Sequence, residues 1–187
     1  MILFGLAGTN GSGKDSLAAF LVKKHGFLFV SSSDLLRAEA VKRGLSTDRE
    51  HLRTISAEWR RESGLGVLVE KAIDYFHERP EGTYKGLITG SLRNPAEADA
   101  IHDHGGKMIW TDADPQVRFA RLQSRGREDD PETYEQFVEH EAAEMQRSGD
   151  EATLSVADVK ERCDIFIDNS GSAIEEFEPV IERKLGL

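Results

Sequence analysis

Near the start of the chain, Gly8-Thr9-Asn10-Gly11-Ser12-Gly13-Lys14 has the spacing G-x-x-x-x-G-K. Residues of these types in this order suit one task, the wrapping of a chain of phosphates. Glycines let the backbone turn successive N–H groups inward. A helix start adds partial positive charge, and the lysine reaches the outer phosphates. The spacing carries weight only between a strand and a helix. Met1 to Leu6 reads as a short buried strand, and Lys14 to His25 as a helix with Leu17, Phe20 and Leu21 on one face. The candidate phosphate-binding residues are therefore Gly8, Asn10, Gly11, Ser12, Gly13, Lys14, Asp15 and Ser16. Asp15 stands where a Ser or Thr ordinarily ligates magnesium, so the hydroxyl role is expected to pass to Ser16. A glycine-rich turn beside a surface lysine is the plain alternative.

The rest of the chain alternates in type. Phe27 to Val30, Gly86 to Thr89, Lys107 to Trp110 and Asp164 to Ile167 are short apolar runs that read as strands. A long helical region is expected from Asp34 to Arg79. Asn94-Pro95, Asp114-Pro115 and Asp130-Pro131 each place a capping side chain before a proline, the signature of a helix start. Strands of this kind separated by helices predict an α/β fold, a parallel sheet of about five strands covered by helices on both faces. Ligands of such sheets sit at the carboxyl ends of the strands. The 187 residues suit a single domain.

Composition narrows the function classes. Hydrophobic residues make up 39% and charged residues 31%, as in ordinary soluble domains. No apolar run approaches a membrane span, and no export signal is recognisable, so a cytoplasmic protein with no membrane partner is expected. The lone cysteine, Cys163, excludes a disulfide framework. The net charge of −10 is local: ten acids and one base lie between Glu128 and Glu151. A near-neutral body with one acidic stretch does not suit a nucleic acid polymer, and it leaves room for a basic pocket.

Beyond the glycine loop, the chain resembles the nucleoside monophosphate kinases, the adenylate kinase-like branch of the P-loop proteins. Ser31-Ser32-Ser33-Asp34-Leu35-Leu36-Arg37 is similar to their S-T-G-D-x-L-R segment. The resemblance implies that Ser32 lies near the acceptor, that Arg37 binds its phosphate and that Asp34 holds magnesium-bound water. Thr89-Gly90-Ser91-Leu92-Arg93-Asn94-Pro95-Ala96-Glu97 is similar to the D-G-F-P-R-x-x-x-Q segment. It implies a second acceptor-phosphate arginine at Arg93. Thr89 replaces an acid of the magnesium shell, and Glu97 replaces a glutamine that reads adenine. A carboxylate only accepts, so Glu97 is expected to suit a donor-rich base edge such as guanine. Arg118, Arg121 and Arg125 share a helix face, and the resemblance implies that Arg121 and Arg125 reach the donor from the base of a lid, with Arg127 at its far end. Only Gly126 separates Arg125 from Arg127, so the lid is short. Ser170 and Gly171 follow the last strand and resemble the loop that encloses the donor adenine. That ending is as similar to dephospho-CoA kinases.

These readings amount to one P-loop NTPase domain over residues 1–187, with a helical acceptor-binding insert at 34–85 and a short lid with an acidic helix at 118–150. Phosphoryl transfer needs in-line positioning and positive charge on the moving oxygens. Lys14, Asp34, Arg93, Arg121 and Arg125 are the candidate catalytic residues, Ser32, Asp34, Arg37, Arg93 and Glu97 the acceptor site, and Ser16 with Asp34 the holders of Mg2+. The expected reaction is transfer of the γ-phosphate of ATP to a nucleoside or deoxynucleoside monophosphate, by a monomer or homodimer. Phosphorylation of a ribose hydroxyl in dephospho-CoA is the alternative, and would make Asp34 a base. A nucleotide-binding regulatory ATPase is a third reading.

Overall fold

The computed structural model describes residues 1–126, 131, 133–145, 155–171 and 174–187. Five strands form one parallel sheet in the order β2-β3-β1-β4-β5. They are β1 (Ile2–Gly8), β2 (Leu28–Ser31), β3 (Gly86–Gly90), β4 (Lys107–Asp112) and β5 (Ile165–Asp168). The helices between them are α1 (Lys14–His25), α2 (Ser32–Lys42), α3 (Arg49–Ser63), α4 (Val67–His77), α5 (Pro95–Asp103), α6 (Pro115–Arg125), α7 (Tyr134–Met145), α8 (Val156–Glu161) and α9 (Ile174–Leu185). The predicted α/β class and the predicted five strands are both present.

Strand alternation sorts the core into two layers. Phe4, Leu6, Ile88, Ile109 and Ile167 face one side and bury Leu17, Phe20 and Leu21 of α1. Leu3, Ala7, Leu87, Met108 and Trp110 face the other and bury Val69 and Ile73 of α4, Ala98 and Ile101 of α5, and Val156 and Val159 of α8. Burial of each large side chain contributes about 1.5–3 kcal/mol.

The long helical region expected from Asp34 to Arg79 is divided into α2, α3 and α4. Gly44 adopts φ 71° just after α2, which terminates it, and Asp48 starts α3 by accepting from the His51 N–H. These helices carry a small core of their own, formed by Leu36, Ala40, Ile55, Val67 and Leu68. Two of the expected proline starts are present. Asn94 accepts from Ala96 N–H at α5, and Asp114 accepts from Gln116 and Val117 N–H at α6. Asp130 lies outside the described residues.

Candidate active site

The sheet order brings the carboxyl ends of β2, β3 and β1 side by side. Three stretches singled out from the sequence therefore share one edge: the glycine loop after β1, Ser32–Arg37 opening α2 after β2, and residues 91–94 after β3. β4 and β5 extend the same edge and deliver Asp112 and Asn169 beside the glycine loop.

The loop runs from Gly8 to Gly13, and α1 begins at Lys14. Gly13 has φ 89°, where a side chain is strained, and an added Cβ would collide with the Asn169 side-chain amide. Gly11 has φ 77°, and its Cβ would lie 2.7 Å from the Arg118 carbonyl oxygen. Lys14 Nζ donates to the Gly8 carbonyl at 2.8 Å and to the Thr9 carbonyl at 2.6 Å. The ammonium is thus held at the loop by neutral acceptors, and a phosphate offers it a stronger, anionic one.

Two neighbours brace this loop. Thr9 Oγ1 donates to Asp112 Oδ1 at 2.7 Å, and that oxygen also accepts from Ala113 N–H at 2.9 Å. Asn169 Nδ2 donates to the Ser12 carbonyl at 2.8 Å, while its own N–H donates to the Asp112 carbonyl at 2.7 Å. Thr9, Asp112 and Asn169 were not separated from their surroundings in the sequence. Their signal is position: Asp112 and Asn169 each come at or just after the carboxyl end of an apolar strand in a sheet that must bind there.

The arginines of α6 divide their tasks. Arg121 donates to the carbonyls of Asn169 at 2.9 Å and Gly171 at 3.2 Å, and reaches the Gly11 carbonyl at 3.5 Å. It ties the glycine loop to the Ser170–Gly171 loop, between the two segments expected to flank the donor. Arg118, one turn earlier, is only 3% exposed. Its guanidinium donates to the Ala113 carbonyl at 2.8 Å and pairs with Glu141 of α7 at 2.6 Å. Glu141 is therefore an internal partner and not part of a merely solvated acidic face. Ser170 Oγ accepts from the Asp114 N–H at 2.8 Å. Arg125 is exposed at the end of α6, and Arg127 lies outside the described residues.

At the edge where the acceptor is expected, Asp34 and Arg37 form an ion pair at 2.8 Å with both side chains largely exposed. Arg93 is exposed in the β3–α5 loop, and Ser32 is buried at the start of α2. The expectation that Glu97 reads a base edge is corrected by its surroundings. Glu97 is 1% exposed; one oxygen accepts from Arg60 at 2.7 Å, and the other from the N–H groups of Arg93 at 2.7 Å and Asn94 at 3.0 Å. These bonds, with burial, leave the carboxylate no face for a ligand. Arg60, inside the long helical region expected from Asp34 to Arg79, carries no local signal that marks it. A cavity of about 220 Å³ opens between Thr9 and Asn10 of the loop, Arg49 of α3, and Phe137 and His140 of α7. None of Ser32, Asp34, Arg37, Arg93 or Glu97 lines it.

Among the described residues no three acidic, histidine or cysteine side chains are grouped so that they could hold a metal ion. A Mg2+ ion bound together with a nucleotide keeps much of its water and is held largely by substrate phosphates. Asp15 and Ser16 are exposed on the first turn of α1, where a hydroxyl can complete such a shell. Thr89, buried at the end of β3, offers no carboxylate.

A glycine loop feeding a helix at the carboxyl edge of this five-stranded parallel sheet defines the P-loop NTPase fold. Residues 7–137 match the family described as an AAA domain. A UPF0200 protein of Pyrobaculum aerophilum is 30% identical over 185 residues, covering 98% of this chain and 96% of the relative. One from Thermococcus kodakarensis is 30% identical over 182 residues, covering 95% and 93%. The chain belongs to the UPF0200 family. Among solved structures, shikimate kinase from Bacteroides thetaiotaomicron superposes with a TM-score of 0.59 at 15% identity, covering 100% of this chain and 99% of that one. Shikimate kinase from Acinetobacter baumannii in complex with shikimate gives 0.59 at 14% identity, covering 100% and 94%. The resemblance to nucleotide kinases thus holds at the level of the P-loop kinase-like fold. No helix among the described residues is long and apolar enough to cross a membrane.

Proposed function

We propose that the protein is an ATP-dependent phosphotransferase that moves the γ-phosphoryl group to a nucleoside or deoxynucleoside monophosphate. The observation that carries this reading is the alignment on one sheet edge of the Lys14 loop with Arg37 and Arg93, which follow the two strands next in order. The loop N–H groups and Lys14 bind the donor phosphates. Arg121 and Arg125 border the donor side, with Ser170 and Gly171 beside its adenine. Arg37 and Arg93 neutralise the acceptor phosphate, which is already an oxyanion and needs no base. Ser16, and Asp34 through water, would hold Mg2+, which would supply charge neutralisation on the donor phosphates.

A hydroxyl acceptor, as in dephospho-CoA, is the second reading. Asp34 favours it, because its carboxylate is 68% exposed on that same edge and suits a general base. ADP release with ATP and Mg2+, measured across nucleoside and deoxynucleoside monophosphates and dephospho-CoA, decides between them. Turnover with a monophosphate supports the first reading. Turnover with dephospho-CoA alone moves Asp34 to the role of base.

A further inference from the structure

Arg60 and Glu97 form a buried ion pair between helices that are far apart in sequence. Their side chains are 7% and 1% exposed, and the guanidinium lies 2.7 Å from Glu97 Oε1. Local structure does not require it. Glu97 already completes a capping box with Asn94 at the start of α5, and such a box is whole without an arginine. Arg60 also donates to Ser56 Oγ at 2.7 Å, yet its Nε is buried with no hydrogen-bond partner among the described residues. Charge buried this way is costly, and an apolar pair of similar volume is often at least as stable.

The consequence of the pair lies one bond further on. Glu97 Oε2 accepts from the Arg93 N–H at 2.7 Å, and the Arg93 carbonyl accepts from the Ser155 N–H at 2.8 Å. The backbone of Arg93 is clamped on both sides while its side chain stands exposed. Two residues earlier, Ser91 holds φ 66°, a left-handed conformation that a serine adopts only when its surroundings impose it. Arg60 belongs to α3, within the helices that carry their own small core. The ion pair is therefore a key by which that helical insert registers against the loop presenting Arg93.

We propose that Arg60 is a positioning residue that acts through Glu97 to set Arg93, so that the helical insert and the acceptor-phosphate arginine move as one unit. Its effect on acceptor binding rests on the proposed role of Arg93; the coupling itself does not. A misplaced arginine weakens the acceptor contact and leaves the ATP site, formed by the glycine loop itself, unchanged.

The test uses the full chain with Arg60→Met, Arg60→Lys and Glu97→Gln. Amide hydrogen exchange at Arg93 and Asn94 reads the coupling, and KM values for acceptor and ATP are measured separately. In Arg60→Met, exchange at those two amides is expected to accelerate about tenfold beyond the change in global stability. Acceptor KM is expected to rise about tenfold, with ATP KM unchanged. Arg60→Lys recovers part of both, and Glu97→Gln, which keeps the volume, serves if Arg60→Met does not fold. A fall in thermal stability with the exchange at Arg93 and Asn94 unaltered overturns the proposal. If the wild-type protein turns over no acceptor, the phosphotransferase reading fails, and the exchange result still decides the coupling.

Discussion

Asn169 Nδ2 donates to the Ser12 carbonyl oxygen at 2.8 Å, so a residue beyond the last strand sets the shape of the loop after the first. The same amide occupies the space that a side chain on Gly13 would fill. Replacing Asn169 with Ala removes this brace without touching phosphate. A buried carbonyl left without its partner costs about 1–2 kcal/mol, and ATP dissociation is expected to rise roughly tenfold. Titration calorimetry with ATP checks it; unchanged affinity would mean that the loop holds its form unaided.

Asp34 and Arg37 make the opposite kind of contact, exposed and local. An ion pair of this type contributes about 0–1 kcal/mol. Arg37→Ala is therefore expected to leave the urea midpoint nearly unchanged while raising the KM of the acceptor. A variant that loses stability and activity together would assign Arg37 a structural role.

Arg118 is enclosed and turned toward α7, unlike its neighbour Arg121. Glu141→Gln leaves that buried cation with a weaker partner, which is expected to cost about 1–3 kcal/mol. Urea unfolding measures the loss. Arg118 and Glu141 also line the cavity beside Thr9 and Asn10, so ATP affinity is expected to weaken modestly with it, as titration calorimetry would show.

Cys163 lies half-buried against the core just before β5, and desolvation with the nearby Asp164 charge pushes its thiol up to about 12. The folded chain keeps this proton above pH 9.0, where an ordinary thiol gives it up. Stability is therefore expected to fall as pH rises through that window, since the unfolded state binds fewer protons there. Iodoacetamide at pH 8 is expected to label the folded protein about a hundredfold more slowly than the chain in urea. Equal rates would place the thiol in an ordinary environment.

The fold was legible because its strongest signals are local. Apolar runs such as Leu87–Ile88 and Met108–Trp110 are buried on both faces of the sheet, and Asn94 and Asp114 cap helices within three residues of themselves. The glycine loop was legible for the same reason. Contacts across the fold were not. Nothing local to Arg60 marks a partner 37 residues away, and Glu97 looked like a ligand group because its type was visible and its enclosure was not. Arg118 and Arg121 share a helix face, yet one turn of rise carries them to different neighbours. Capping and periodicity act over a few residues, whereas ion pairs between helices depend on how the sheet is ordered.

The most direct measurement is transfer of label from γ-labelled ATP, in the presence of Mg2+ and the acceptor panel, by the wild-type protein and Lys14→Met. The account predicts that label moves to one small acceptor, with little to water. It also predicts that Lys14→Met retains the fold and loses transfer by about a hundredfold or more. Label released only as inorganic phosphate, or transfer that survives loss of Lys14, would contradict it and bring forward the regulatory ATPase.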